Sequence, residues 1–231
     1  MAFATIGNSA LTGSIDLTSK VTGSLPVANG GTGLTSGTSG QFLKFTGSTT
    51  VASAAVSNDF VLVQSQSTTS ASSLSFTTGF DGTYDTHMFV VNDLDVSDDG
   101  CDFYARPLLG SGGSTEGNSG IVYANSGFSA DGSARTQEST STSKIMLFGG
   151  VDNYVTYKSG LTLWLGKPDA TGFKRIWWNG AFERNSSGSN TSYFGGACYT
   201  DSSNAITGMK FYPSAGTFAT VTINHYGLKG S

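Results

Sequence analysis

The chain has 231 residues, enough for one sizeable β domain; only 12% of them are charged, and 32 are glycine. A net charge of -4 provides no basic surface for nucleic acid or for an anionic membrane. No apolar stretch has the length of a membrane span, and the start of the chain lacks the pattern of a secretory signal. We therefore expect no nucleic-acid partner, no membrane insertion and no export signal.

Residues 1–57 form a polar first segment that is rich in glycine, serine and threonine. Residues 11–17 are similar to residues 21–27, and such short polar copies need neighbours to bury a face. Pro26 favours extended backbone, whereas the Asn-Gly-Gly sequence at 29–31 favours a tight turn. The pattern predicts an extended or interwoven segment.

Residues 58–231 have a different pattern, in which short apolar runs are separated by Gly, Asp, Asn and Ser. This punctuation predicts an all-β domain, an antiparallel β-sandwich of jelly-roll-like type, with no long helix. In the last run, alternation places Ala219, Val221, Ile223 and His225 on one face. The predicted strands are 60–64, 73–76, 86–94, 101–109, 120–124, 144–148, 161–166, 173–179, 191–199, 205–212 and 217–227.

Residues 21–33 have the sequence VTGSLPVANGGTG, and QFL follows at 41–43. This stretch resembles a segment that recurs in bacteriophage tail-fibre and related virion fibre proteins, commonly ahead of a β-rich distal domain. The stretches 89–108, 119–124 and 205–229 resemble the head domains of marine phage fibres, and the family's YG(I/L) ending corresponds to YGL at 226–228. The family pattern often has glycine where this chain has Thr220 or Thr222.

The resemblance implies a non-enzymatic structural protein of the virion that assembles as a homotrimer. Residues 1–57 would anchor and trimerise it on tail, baseplate or capsid proteins, and the head at 58–231 would bind a bacterial surface glycan or receptor through its loops. A capsid decoration or head-fibre protein is the alternative, and a glycan-cleaving tailspike is a third interpretation. The anchoring and trimerisation residues that it implies are Leu25, Pro26, Val27, Asn29, Gly30, Gly31 and Gly33.

Adjacent tryptophans occupy positions 177 and 178 of a predicted strand. Adjacent strand residues face opposite sides, so one indole is expected in the core and the other at solvent or a subunit interface. An exposed indole beside basic and amide side chains is suited to stacking on a sugar ring or to packing in an interface, and Trp164 has the same ambiguity. The candidate receptor contacts are Trp178, Lys174, Arg175, Asn179 and Arg184.

Polar stretches at 110–120, 126–143 and 185–192 are predicted to be loops at the ends of the sandwich. Binding loops commonly gather there, because the scaffold holds them in place. These three stretches are the candidate host-contact loops.

The remaining polar residues form no recognised catalytic motif, and we expect no enzymatic activity, no cofactor and no metal ion. The acidic run 92–100 fails the EF-hand spacing, which leaves strand-connecting turns or an irregular calcium site as interpretations. Structural histidines and a metal site on a trimer axis both remain open, as do free and paired cysteines. The residues concerned are Asp95, Asp98, Asp99, His87, His225, Cys101 and Cys198, together with the scattered glutamates Glu116, Glu138 and Glu183.

Overall fold

The chain divides into two units, Met1–Asn58 and Asp59–Ser231. A computed structural model describes residues 31–32, 34, 37–48, 50–54, 60–130, 132–153, 158–169, 172–184, 189–201 and 203–229. The division lies next to the sequence boundary drawn between residues 57 and 58. Each unit is described separately below.

The described part of the first unit contains an antiparallel hairpin of β1 (Phe42–Phe45) and β2 (Val51–Ala54). Its turn is closed by the Thr46 amide, which donates to the Thr50 carbonyl oxygen at 3.0 Å. The sequence pattern predicts no strand in this region, so the hairpin is an addition to the predicted elements. The hairpin is four residues long on each side, and its FLKF strand places large apolar side chains on both faces.

The second unit consists of two antiparallel sheets. Its strands are β3 (Val61–Thr68), β4 (Leu74–Phe76), β5 (Thr86–Val96), β6 (Cys101–Leu109), β7 (Thr115–Glu116), β8 (Ile121–Ser129), β9 (Ala134–Thr142), β10 (Ile145–Val151), β11 (Ser159–Gly166), β12 (Lys174–Arg184), β13 (Ser189–Tyr199), β14 (Gly208–Pro213) and β15 (Phe218–Leu228). The larger sheet has eight strands in the order β3-β15-β5-β11-β12-β13-β8-β9. The smaller sheet has the order β10-β6-β14-β4, with β7 beside β6. Every predicted strand overlaps one of these, and the described residues contain no α-helix.

The two sheets pack face to face around an aromatic core, as in a β-sandwich. Phe103 of the smaller sheet meets Phe218 of the larger one with ring centroids 6.1 Å apart. Farther along, Phe89 and Phe211 pack across the same interface at 5.2 Å. The prediction of an all-β antiparallel sandwich is therefore confirmed. The chain passes repeatedly from one sheet to the other.

The strand β15 shows how alternation is modified by a bulge. Val221, Ile223 and His225 are buried, as predicted. Ala219 is only partly buried, because register shifts on either side of Thr220 change the phase and place Phe218 in the core instead. The prediction is thus correct for three of the four residues and wrong for Ala219.

The stretch 126–143 is not the predicted loop. Its residues belong largely to β8 and β9, which form an antiparallel hairpin at the edge of the larger sheet. The sequence ARTQESTST of β9 has no apolar face, and it is a strand because its backbone pairs with β8. Similarly, residues 189–192 lie in β13, and 110–120 contains β7 and a short 3-10 turn at Ser111–Gly113.

Candidate binding site

The two adjacent tryptophans of β12 face opposite sides of the larger sheet. Trp178 is 2% exposed and its indole Nε1 donates to the Leu147 carbonyl oxygen of the other sheet at 3.2 Å. Trp177 is 44% exposed on the outer face. The one-in, one-out prediction is confirmed, but the choice of Trp178 as a surface contact is wrong, because this indole fills the core.

Lys174 is also buried, which is a second correction to the candidate receptor contacts. Its Nζ donates to the carbonyl oxygens of Asp201 at 2.9 Å and Asn204 at 2.6 Å, and burial lowers its pKa. A lysine can be buried when carbonyl groups replace its water shell. Arg175 and Asn179 are exposed on the outer face, whereas the side chain of Arg184 lies outside the described residues.

The outer face of the larger sheet carries a row of residues in direct cross-strand register. The row begins with aromatic and apolar side chains and ends at a polar edge strand. Neighbours in such a row lie close enough to form one continuous surface. In order across the eight strands, the row is Leu62, Tyr226, Met88, Trp164, Trp177, Gly196, Ala124 and Glu138.

Three aromatic side chains in and beside this row are fixed against one another. The Trp164 and Trp177 rings are parallel within 5°, with centroids 6.2 Å apart. Phe60 meets Trp164 edge-on at 6.0 Å. Beyond Trp177, the next two residues of the row are Gly196 and Ala124, so the indole of Trp177 lies directly beside small residues.

This decrease in side-chain size creates an open groove of about 520 Å³ over β12, β13, β8 and β9. Trp177 and Arg175 line it on one side, and Glu138 and Thr140 line it on the other. Of the lining residues, the sequence indicated Arg175; it named Trp178 in place of Trp177, and it missed the contribution of β9 because residues 134–142 were assigned to a loop. The groove is the candidate binding site.

Gly195 and Gly196 are consecutive and face opposite sides of β13. A Cβ on Gly195 would overlap the indole of Trp178. A Cβ on Gly196 would have only the Ile176 carbonyl oxygen nearby, at 3.9 Å. Gly195 is therefore needed for core packing, whereas Gly196 keeps the groove open.

We expect Gly195→Ala to lower the free energy of unfolding by about 1–3 kcal/mol, because the new methyl group forces the Trp178 indole to move. Gly196→Ala should leave that free energy unchanged or raise it by about 0.5–1 kcal/mol, because glycine weakens a strand. Urea unfolding of both variants measures the difference. Equal destabilisation by the two substitutions would contradict this assignment of the faces.

The two histidines lie 138 positions apart in sequence but form a buried pair inside the sandwich. His87 Nδ1 and His225 Nε2 are 2.8 Å apart. Phe80 stacks on His87 at 4.3 Å, and Phe89 stacks on His225 at 4.5 Å. Burial lowers the pKa of His87 to about 4 and that of His225 to about 3, which keeps both rings neutral near pH 7.

The acidic run holds the turn between β5 and β6 in place. Asp95 accepts a hydrogen bond from the Val96 amide at 2.9 Å and pairs with Lys158 at 3.3 Å, while Asp98 accepts from the Ser97 hydroxyl at 2.8 Å. Over the described ranges, no group of three or more His, Cys, Asp or Glu side chains is arranged to hold a metal ion.

The glutamates do not form a common site in the described structure. Glu116 pairs with Arg106 and with Lys210 at 2.5 Å on the smaller sheet, and the Lys210 hydrogen bond lowers its pKa. Glu138 lies on the outer face of the larger sheet, and the side chain of Glu183 lies outside the described residues. Both cysteines are free: Cys101 is buried and Cys198 is partly buried.

The anchoring residues that the resemblance implies fall almost entirely outside the described residues. Gly31 is described only as part of a bend. The others, outside the described residues, are Leu25, Pro26, Val27, Asn29, Gly30 and Gly33.

Comparison with known proteins finds no matching family model, no matching curated protein and no matching solved structure. In the part of the chain that the structure describes, no helix has the length and apolar character that crossing a bilayer requires.

Proposed function

We propose that the chain is a non-enzymatic structural protein of a bacteriophage virion, a homotrimeric fibre. Residues 1–57 attach it to tail, baseplate or capsid proteins, and a jelly-roll-like head at 58–231 binds a glycan or receptor on the bacterial surface. The resemblance of residues 21–33 to virion fibre segments supports the attachment role. The β-sandwich after that segment agrees with the family's order of a stem followed by a β-rich head.

The observation that carries the proposal is the exposed hairpin β1–β2. Phe45 is 70% exposed, and Phe42 and Leu43 are also exposed on a two-stranded sheet. A lone hairpin of this size is marginally stable in water, and apolar side chains on both of its faces need cover. Copies of the chain around a symmetry axis provide that cover, because each presents the same apolar strand to its neighbour.

We place the proposed recognition surface on the outer face of the larger sheet and not on the loops. Part of the polar sequence that was expected in loops belongs to β9, which forms one side of the groove. The outer face of the larger sheet offers aromatic and charged groups together, whereas the core-facing Trp178 and Lys174 are not accessible to a partner. Three copies per fibre would strengthen weak individual contacts by raising the effective concentration.

Native mass spectrometry of the full chain tests the trimer. We expect a trimer for the unmodified protein. Combining Phe42→Ser and Phe45→Ser should give monomers, because contact between the hairpins of neighbouring copies would then bury less apolar surface. Phe128→Ser is the matched control, since Phe128 is 60% exposed on the head and should leave the trimer intact. A monomeric unmodified chain, or a trimer that only the Phe128 substitution disrupts, would overturn the proposal.

A further inference from the structure

We propose that the groove over β12, β13, β8 and β9 binds a neutral saccharide of the bacterial surface. This inference rests on the proposed function and names the ligand class and the residues that bind it. The groove has a flat aromatic wall, two small residues directly beside that wall, and one charged group of each sign on its rim.

The aromatic wall is the indole of Trp177. Its parallel neighbour Trp164, which itself packs against Phe60, restricts its movement, so the ring is held in place before a ligand arrives. An exposed and preorganised aromatic ring loses little conformational entropy on binding. One face of a pyranose ring consists of C–H groups, and this apolar face is complementary to an indole.

The floor is formed by Gly196 and Ala124, which are the direct cross-strand neighbours of Trp177 and of each other. Adjacent strands are about 4.8 Å apart, so about 14 Å separate the Trp177 and Glu138 backbones across three strand intervals. Larger side chains at these two positions would fill the groove. Their small size allows a flat ring to approach the sheet beside the indole.

The rim carries Arg175 and Glu138. Among the described residues, neither of these two side chains forms a salt bridge or a hydrogen bond with another part of the chain. Arginine donates hydrogen bonds and a carboxylate accepts them, and saccharide hydroxyl groups do both. The two opposite charges leave the rim without net charge, so the rim offers no net attraction to an acidic sugar. This pairing favours a neutral saccharide over an anionic one.

Affinity electrophoresis against neutral glucan, galactan and mannan, with polygalacturonate and polysialic acid as anionic comparators, tests the inference on the full chain. We expect retardation by at least one neutral polymer and by neither anionic one. Trp177→Ala removes the wall and Gly196→Val fills the groove, so each should weaken binding by about tenfold or more. Phe128→Ala should bind as the unmodified chain does, because Phe128 lies on the same face but does not line the groove.

Three results would overturn the saccharide site. These are the absence of binding to every neutral polymer, a preference for an anionic polymer, and binding that survives Gly196→Val. Loss of the trimer in Gly196→Val would instead identify the groove as an interface between copies and would also overturn the site. The proposed function is judged separately by native mass spectrometry: a trimer without saccharide binding overturns this inference alone, whereas a monomer overturns the fibre proposal.

Discussion

Replacing Trp178 by alanine should lower the free energy of unfolding by about 3–5 kcal/mol, the range for truncation of a buried aromatic side chain. The indole is 2% exposed, packs on Gly195 and donates to the Leu147 carbonyl oxygen. Truncation therefore leaves a cavity between the sheets and also removes the hydrogen bond from the indole to the Leu147 carbonyl oxygen. A urea titration followed by circular dichroism measures the loss.

Trp177→Ala is the internal control, since it removes the same side chain from the neighbouring position. Its indole is exposed and packs mainly against Trp164, so the expected loss is below about 1.5 kcal/mol. Similar losses in the two variants would contradict the assignment of Trp178 to the core. A larger loss for Trp177→Ala would show that the outer face of the larger sheet is buried against another surface in solution.

The second large effect is a loss of stability in mild acid that the buried histidine pair causes. The folded-state pKa values of His87 and His225 are lowered to about 4 and about 3, whereas both rings ionise near their ordinary value of 6.5 in the unfolded chain. Between these values the unfolded state binds more protons, so stability is complete above pH about 6.5 and falls as the pH decreases. Each histidine contributes up to about 1.4 kcal/mol per pH unit.

Neighbouring carboxylates modify this pH dependence without reversing it. Burial is the main cause for His87, and Asp169 and Asp81 partly oppose it. For His225, the charge on His87 adds to the effect of burial. Carboxyl groups with lowered pKa values, such as Glu116, lose their stabilising contribution only below their ordinary value of 4.5. The window from pH 6.5 to 5 therefore lies above the range in which Glu116 loses its contribution.

Urea midpoints measured at several pH values in that window test this prediction. We expect a steep decrease with acidity for the unmodified chain, and a nearly flat profile when His87→Phe and His225→Phe are combined. Phenylalanine keeps the stacking with Phe80 and Phe89 but cannot ionise. An unchanged slope in the double variant, or histidine NMR signals that titrate near pH 6.5 in the folded chain, would refute it.

Much of the fold could be predicted because apolar alternation and glycine-rich turns are local signals. The strand β11 shows this, since its residues are alternately buried and partly buried along its whole length. The edge strand β9 could not be predicted in the same way. Its sequence ARTQESTST has no apolar alternation, and it exists because its backbone completes the hydrogen bonding of β8.

The candidate site was less predictable because it depends on register between distant strands. Alternation required one indole of the Trp177–Trp178 pair to be exposed but could not determine which. Lys174 was expected at the surface because it is charged, and carbonyl groups from residues 201 and 204 allow it to be buried. No local pattern places Ala124 and Glu138 beside Gly196.

The two consecutive glycines of β13 differ in what a side chain would disturb. At Gly195 it would disturb the core, and at Gly196 only the groove. A side chain at Gly195 would collide with the interior, so this position tolerates almost no variation. One peptide unit away, Gly196 has open space, and new side chains there would reshape the groove at little cost to the scaffold. Single-codon changes at position 196 can therefore alter the shape of the groove while the sandwich is preserved.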